Sequence, residues 1–236
     1  MRRTFRVFRY KPGWPRHRYE TYTVDLPPNA TVLEALMRIR RDQAPDLTFR
    51  HSCLHGSCGT CGMRINGRER LACLTPVAEL SGTITVEPLY NLGVVSDLVV
   101  HTPAFYEKFT LVDRPLIRRS EAPAQGTPPE GISAFTRLES CIECGLCLSA
   151  CPVVATDPYY LGPAALAAAW RLVEEPRGQD PAAVLALVDD PHGCWRCHLA
   201  MECSEVCPTG VHPAQAIAFL RAALSSPSPN PSEVRT

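Results

Sequence analysis

The sequence predicts an α+β chain in two parts, a small mixed sheet with one helix followed by an all-helical half. Three observations carry this. Apolar residues alternate with period 2 before residue 95, strand signals vanish after it, and twelve cysteines fall in three groups at 53–73, 141–151 and 194–207. A long cysteine-free stretch separates the first two groups, and the expected domain boundary lies inside it.

The elements follow in order. Tyr22, Val24 and Leu26 alternate with Thr21, Thr23 and Asp25, the pattern of a half-buried strand. Residues 4–10 supply its partner through the Pro- and Gly-rich turn at 11–15. Pro27, Pro28 and Asn29 stop the second strand. Thr31 and Glu34 then form a capping box, and Val32, Leu33, Leu36 and Met37 line one apolar face of a helix ending near Arg41. Asn66-Gly67 after Met63, Arg64 and Ile65 is a hairpin turn signal. A last short strand over 83–86 is halted by Pro88. Beyond residue 95 the pattern predicts helical pieces near 97–111, 133–149, 163–174, 181–189 and 213–224, a loop over 123–129, and a disordered Ser- and Pro-rich tail over 225–236.

Composition excludes several classes. The chain has 236 residues, with 24 basic and 24 acidic side chains. That neutrality argues against a nucleic-acid binder. A 45% hydrophobic content is enough to fill real cores. The basic residues do crowd the first twenty positions, where Arg2, Arg3, Arg6, Arg9, Lys11, Arg16 and Arg18 face only Glu20. This cluster reads as a solvated sheet face. No run reaches the roughly 18 apolar residues of a membrane helix. The longest, 161–170, contains Gly162 and Pro163. The basic N-terminus lacks an apolar signal core, so a reducing compartment is expected, where clustered cysteines serve as metal ligands rather than disulfides.

The first cysteine group reads Cys53-x4-Cys58-x2-Cys61-x11-Cys73. This is the spacing of a plant-type 2Fe–2S site, with Gly56, Gly59 and Gly62 letting the backbone wrap closely round sulfide. Zinc is the alternative, and it usually takes two CxxC-like pairs. The second group, Cys141-x2-Cys144-x2-Cys147-x3-Cys151-Pro152, is the bacterial ferredoxin run. The third, Cys197-x5-Cys203-x3-Cys207-Pro208, superposes on the second with Ala200 in place of the second cysteine. In two-cluster proteins the fourth cysteine of each run serves the other cluster. Cys141, Cys144, Cys147 and Cys207 then hold a complete 4Fe–4S cluster. Cys151, Cys197 and Cys203 remain, three thiolates suited to a 3Fe–4S cluster lacking one corner. A fourth ligand from Cys194 or His198 stays open as an alternative, with Cys194 favoured as a spare thiol.

These three runs in this order resemble the iron–sulfur subunit of succinate dehydrogenase or fumarate reductase (complex II). Local strings add to the resemblance: Phe49-Arg50-His51-Ser52-Cys53, Leu71-Ala72-Cys73, Cys141-Ile142-Glu143-Cys144-Gly145, Gly162-Pro163-Ala164 and Cys203-Ser204-Glu205-Val206-Cys207-Pro208. The resemblance implies a β-grasp plant-type 2Fe–2S ferredoxin domain over 1–95 and an alpha-helical ferredoxin domain over 96–224. It implies electron transfer between the FAD of a flavoprotein subunit and a membrane quinone at a cytochrome b-type anchor, for succinate oxidation or fumarate reduction. The haem b content of the anchor stays open. It places the chain peripherally on the inner or cytoplasmic membrane, facing the cytoplasm or matrix. Pro152, Thr156 and His198 become quinone contacts by this resemblance, with His198 equally readable as a hydrogen-bonding neighbour of the cluster. The family's tryptophan a few residues after the second run is missing, because the chain reads Cys151-Pro152-Val153-Val154-Ala155-Thr156. The Arg-rich N-terminus gains a second reading, docking on an acidic flavoprotein patch. Competing functions are a thiol-linked fumarate or heterodisulfide reductase subunit and a soluble multi-cluster ferredoxin.

Overall fold

The computed structural model describes residues 1–112, 138–175 and 181–225. The contact pattern divides them into two units, Met1–Thr102 with Ile142–Ala150, and Pro103–Cys141 with Cys151–Thr236.

The first unit is a five-stranded sheet crossed by a helix. Strands β1 (Arg2–Arg9), β2 (Arg18–Asp25), β3 (Gly62–Ile65), β4 (Arg68–Leu71) and β5 (Ile84–Glu87) lie in the order β2-β1-β5-β3-β4. β1 runs antiparallel to β2 and parallel to β5, with Phe5 opposite both Tyr22 and Ile84. The β3–β4 hairpin closes through Asn66 and Gly67, both at positive φ (49° and 79°), as a two-residue turn between right-twisted strands demands. Helix α1 (Val32–Asp42) begins at the foreseen capping box. The Glu34 amide donates to Thr31 Oγ1 at 3.3 Å and the Thr31 amide to Glu34 Oε2 at 2.7 Å. The core of this unit is Phe5, Val7, Val32, Leu33, Leu36, Ile39, Met63, Ile65, Ile84 and Val86, each at most 1% exposed. Each such side chain stabilises the fold by about 1.5–3 kcal/mol on burial.

Two features depart from the sequence expectation. A two-stranded ribbon, β6 (Val94–Ser96) and β7 (Val99–Val100), stands where helix is expected from 97, and helix α2 begins only at Pro103 (Pro103–Val112). Asp97, at φ 44°, makes the ribbon's turn, and its buried carboxylate is held by partners far away in sequence. Arg9 is likewise no solvated residue. It continues the inward alternation of Phe5 and Val7, is 2% exposed, and binds Glu20, Asp46 and Asp97.

Ile142–Ala150 packs with this unit through its polar backbone. Ser149 Oγ accepts from the Tyr90 amide at 2.7 Å and lies 2.9 Å from Glu69 Oε1, while Asn91 donates to the Leu148 and Ser149 carbonyls. The helix expected over 133–149 is interrupted here. Glu143 (φ 53°) and Gly145 (φ 75°) bend the chain around the cysteines, and helix α3 starts at Leu146 (Leu146–Ala150). The start of that expected helix, the loop over 123–129 and the tail beyond Ser225 lie outside the described residues.

The second unit is helical. Helix α4 (Pro163–Glu174) is buried on every side except at Arg171, and packs on α2, α5 (Pro181–Val188) and α7 (Pro213–Ser225). Its start follows from Gly162 at φ 88° and Pro163 in the first turn, where a missing N–H costs nothing. Trp170 packs on Phe219 with ring centroids 5.5 Å apart. The apolar stretch too short for a membrane is therefore the hub of a helical core. Among the described residues no helix is long and apolar enough to cross a bilayer. A short helix α6 (Glu202–Glu205) carries Cys203, and its Ser204 Oγ accepts the Ala214 amide at 3.0 Å, tying it to α7.

Candidate metal centres

The first cysteine group brings its four sulfurs to one end of β3 and β4. Leu54, Gly56 and Gly59 take positive φ (66°, 78° and 70°), so the loop curls with amides turned inward. The Ser57 and Cys58 amides each reach Cys53 Sγ at 3.3 Å, and the Cys53 amide lies 3.5 Å from Cys58 Sγ. Cys61 at the head of β3 and Cys73 in the turn Ala72–Leu74 are both buried, with sulfurs 3.3 Å apart. The Thr60 hydroxyl, 3.1 Å from Cys58 Sγ, and the neighbouring amides bring the Cys58 thiol down to about 6. Burial pushes Cys61 up to about 12. Four soft sulfur donors with amide N–H groups aimed at them suit iron and sulfide, whose negative sulfurs accept such donors.

The second run folds against this loop. A Cβ on Gly59 would sit 2.8 Å from Cys144 Cβ and 2.8 Å from the Ile142 carbonyl, and one on Gly62 would sit 3.0 Å from the Cys144 carbonyl. Glycine is required because the two cysteine-bearing segments touch backbone to backbone. Cys144 and Cys147 are half-buried in the first unit. Cys141 and Cys207 belong to the second, where the Val211 amide reaches Cys207 Sγ at 3.4 Å.

The remaining three thiols meet. Cys151, Cys197 and Cys203 line one partly open cavity, together with Pro152, Tyr160, His198, Ala200 and Met201. Leu199 (φ 54°) and Met201 (φ 65°) are left-handed without being glycine, a strained loop that wraps this space. The Leu199 amide donates to Cys197 Sγ at 3.3 Å. Burial pushes the Cys203 thiol up to about 12, with Cys151 and Cys197 adding to it, and burial also raises Cys151, where Cys197 adds and the Val154 and Val153 amides oppose. Ala200 lines the wall between these cysteines and offers no donor. Among the described residues no three His, Cys, Asp or Glu side chains close on a single ion. An iron–sulfur cluster asks for thiolates spread wider than four ligands on one zinc do. The 0%-exposed Tyr160 hydroxyl has no hydrogen-bond partner within the protein, an orphan that a sulfur-rich cluster would satisfy.

Of the three expected quinone contacts, Pro152 and His198 line this cavity. Thr156 is exposed and not among the lining residues, and its hydroxyl lies 3.1 Å from the Val153 carbonyl. Cys194 is fully buried outside the cavity lining, its thiol raised to about 11 by burial.

Sequence reasoning missed the groups that hold this site. Arg221 on α7 donates to the carbonyls of Cys194 and Trp195, each at 2.9 Å, and to that of Cys197. Asp157 accepts from His192 Nδ1 and Arg196 Nε, each at 2.9 Å, tying residues 190–196 to the segment after the second run. The His192 hydrogen bond, working against burial and helped by Arg196, holds its carboxyl at about 2. Nothing in the local pattern marks an arginine on an amphipathic helix, or an aspartate in a turn, as a support for the third cysteine group from 24 to 39 residues away.

The 2Fe-2S iron-sulfur cluster binding domain family matches residues 4–107, and the 4Fe-4S dicluster domain family matches 137–211. The fumarate reductase iron-sulfur subunit of Mycobacterium tuberculosis is 42% identical over 221 residues, covering 89% of this chain and 88% of its own. The chain belongs to the iron–sulfur subunits of succinate dehydrogenase and fumarate reductase. The rice mitochondrial succinate dehydrogenase [ubiquinone] iron-sulfur subunit 1 is 37% identical over 224 residues, covering 91% of this chain and 79% of its own. Among solved structures, a chain of the Mycobacterium smegmatis Sdh1 complex in the apo form matches with a TM-score of 0.85 at 26% identity, over 95% of both chains. The succinate dehydrogenase/fumarate reductase iron–sulfur subunit described here is thus the electron-transfer member of an oxidoreductase complex, with 2Fe–2S, 4Fe–4S and 3Fe–4S clusters. The α+β expectation holds, with a sheet-bearing 2Fe–2S domain followed by a helical one.

Proposed function

We propose that Cys53, Cys58, Cys61 and Cys73 hold the 2Fe–2S cluster, Cys141, Cys144, Cys147 and Cys207 the 4Fe–4S cluster, and Cys151, Cys197 and Cys203 the 3Fe–4S cluster. The observation that carries this is the three-thiol cavity with Ala200 in its wall. The 4Fe–4S set rests on the spacing of the two runs and on the need of each run to give its last cysteine away. When bound, the clusters supply one-electron chemistry between an FAD-bearing flavoprotein subunit and a membrane quinone. The protein's part is to fix the sulfurs, exclude water and set the hydrogen bonds around them. In this reading 1–95 and 96–224 act as a 2Fe–2S and a two-cluster domain.

The 3Fe–4S end faces the quinone. Pro152 and His198 stand in the cavity wall, where His198 would reach a quinone oxygen, and Thr156 lies on the same segment as Pro152. Tyr159, Trp195, Leu199 and Met201 expose large apolar surface on the segments that bear the cavity. Such exposed apolar groups suit a hydrophobic anchor subunit. The chain then sits peripherally on the membrane, on its cytoplasmic or matrix side.

Metal analysis and EPR test the ligand sets together. The purified complex carries about nine irons per chain, the sum over the three clusters, and an oxidised 3Fe–4S signal. Ala200→Cys fills the empty corner, removes that signal and lowers the potential of the cluster. A wild-type complex whose EPR shows two cubanes and no 3Fe–4S signal refutes the assignment.

A further inference from the structure

We infer that Tyr160 is a hydrogen-bond donor to the 3Fe–4S cluster and raises its reduction potential. The inference rests on the placement of that cluster among Cys151, Cys197 and Cys203. Three facts bring it out. Tyr160 is 0% exposed and lines the same cavity as those three cysteines. Its hydroxyl has no hydrogen-bond partner in the protein. Its backbone is held on both sides, with Lys108 Nζ donating to the Tyr160 carbonyl at 2.6 Å and to that of Pro158 at 2.8 Å, and the Leu161 amide donating to the His192 carbonyl at 2.9 Å.

A buried hydroxyl with no acceptor is unfavourable, and a phenylalanine would fill the same space without it. The cavity supplies the explanation, because a cluster held by Cys151, Cys197 and Cys203 would bring sulfur acceptors into the space that Tyr160 lines. A phenolic hydroxyl can donate or accept, and beside negative sulfur its proton is the only part of it that can bond, so it acts as a donor. A hydrogen bond to cluster or cysteinyl sulfur strengthens when the cluster gains an electron, so it favours the reduced state. Tyr160 thus tunes this cluster toward accepting electrons, independently of the missing corner at Ala200.

The test is a redox titration of the assembled complex, followed by EPR of the 3Fe–4S signal, with Tyr160→Phe beside the wild type. The variant keeps the oxidised signal and its midpoint falls. The expected size is about a tenfold drop in the reduced-to-oxidised ratio at fixed ambient potential, or about 59 mV for a one-electron couple. The 2Fe–2S midpoint does not move. A loaded variant with an unchanged midpoint overturns the inference and leaves the cluster assignment standing. A wild-type complex without the signal overturns the assignment itself. A second measurement needs no variant: wild-type complex grown with tyrosine labelled with ¹³C at Cζ gives a resolved ¹³C coupling in ENDOR of the 3Fe–4S signal. Absence of that coupling also overturns the inference.

Discussion

Arg9 and Asp97, 88 residues apart, form a buried ion pair that closes the first unit, with Nε 3.2 Å from Oδ1 and side chains 2% and 0% exposed. The Tyr10 and Thr48 amides and Lys11 Nζ complete the aspartate's shell at 2.9, 2.8 and 2.7 Å. Burial raises the Asp97 carboxyl, but Lys11, the two amides and Arg9 outweigh it, so the group lies below the ordinary carboxylate range. Arg9 keeps Glu20 and Asp46 when Asp97 is removed, but the Tyr10 and Thr48 amides lose their acceptor, and leaving buried donors unpaired costs about 1–3 kcal/mol. Asp97→Ala therefore destabilises the protein by about that amount, read as a fall in the thermal midpoint of 2Fe–2S absorbance. Asp97→Asn, which keeps an acceptor for the amides, costs less. Equal midpoints for the alanine variant and the wild type would contradict this account.

The contact between Gly59 and Cys144 makes a second prediction. A methyl at Gly59 meets the Cys144 Cβ and the Ile142 carbonyl at 2.8 Å, and the position is already left-handed at φ 70°. Gly59→Ala must move one cysteine-bearing segment off the other. Iron per chain falls and the reduced 2Fe–2S EPR signal weakens by at least half. Gly93→Ala, where nothing lies within 4 Å of the new methyl, is the control and loads fully. Full loading of the Gly59 variant would show that the two segments do not depend on this approach.

How far the molecule was legible in its sequence follows from which forces are local. The capping box at Thr31 and Glu34, the Asn66-Gly67 turn and the Gly162-Pro163 start of α4 act within a few residues, and each stands where expected. The cysteine spacing marks the metal chemistry because ligands must cluster in the chain to cluster in space. Arg9, Asp97, Tyr160 and Arg221 were not legible. Each looks ordinary within its own stretch, and each acquires its role from a partner brought by the fold. The β6–β7 ribbon falls in the same class, since what holds its turn is the anchoring of Asp97 and not a strand pattern.

Asp157 gives a pH prediction. Its carboxyl stays ionised in the folded protein down to about pH 2 because His192 and Arg196 bind the charged form. An unfolded aspartate takes its proton near pH 3.9. The unfolded state thus binds more protons in that window, and the stabilisation is full above about pH 4 and fades as pH falls toward 2. Below about pH 4.5 the gap in thermal midpoint between wild type and Asp157→Asn is expected to narrow, down to the lowest pH at which the clusters survive. A gap that widens on acidification would mean that the aspartate does not hold residues 190–196 as a charge.

Arg221 makes the last and most local prediction. Its guanidinium gathers three carbonyls, those of Cys194, Trp195 and Cys197, onto one rigid fork, so that the segment entering the third run has a fixed direction before Cys197 takes its place. A charged hydrogen bond contributes about 1.5–3 kcal/mol when buried. Arg221 is only half-buried, so the loss on substitution is about 3 kcal/mol for the set rather than the full sum. In Arg221→Met the oxidised 3Fe–4S signal drops relative to the 2Fe–2S signal of the same sample, because the first unit carries none of these contacts. Arg221→Lys does not restore it, since an ammonium is a point donor and cannot span three carbonyls. If the lysine variant recovers the full ratio, charge alone suffices and the fork geometry is irrelevant. If the methionine variant never loses it, the third run finds its direction without help from α7.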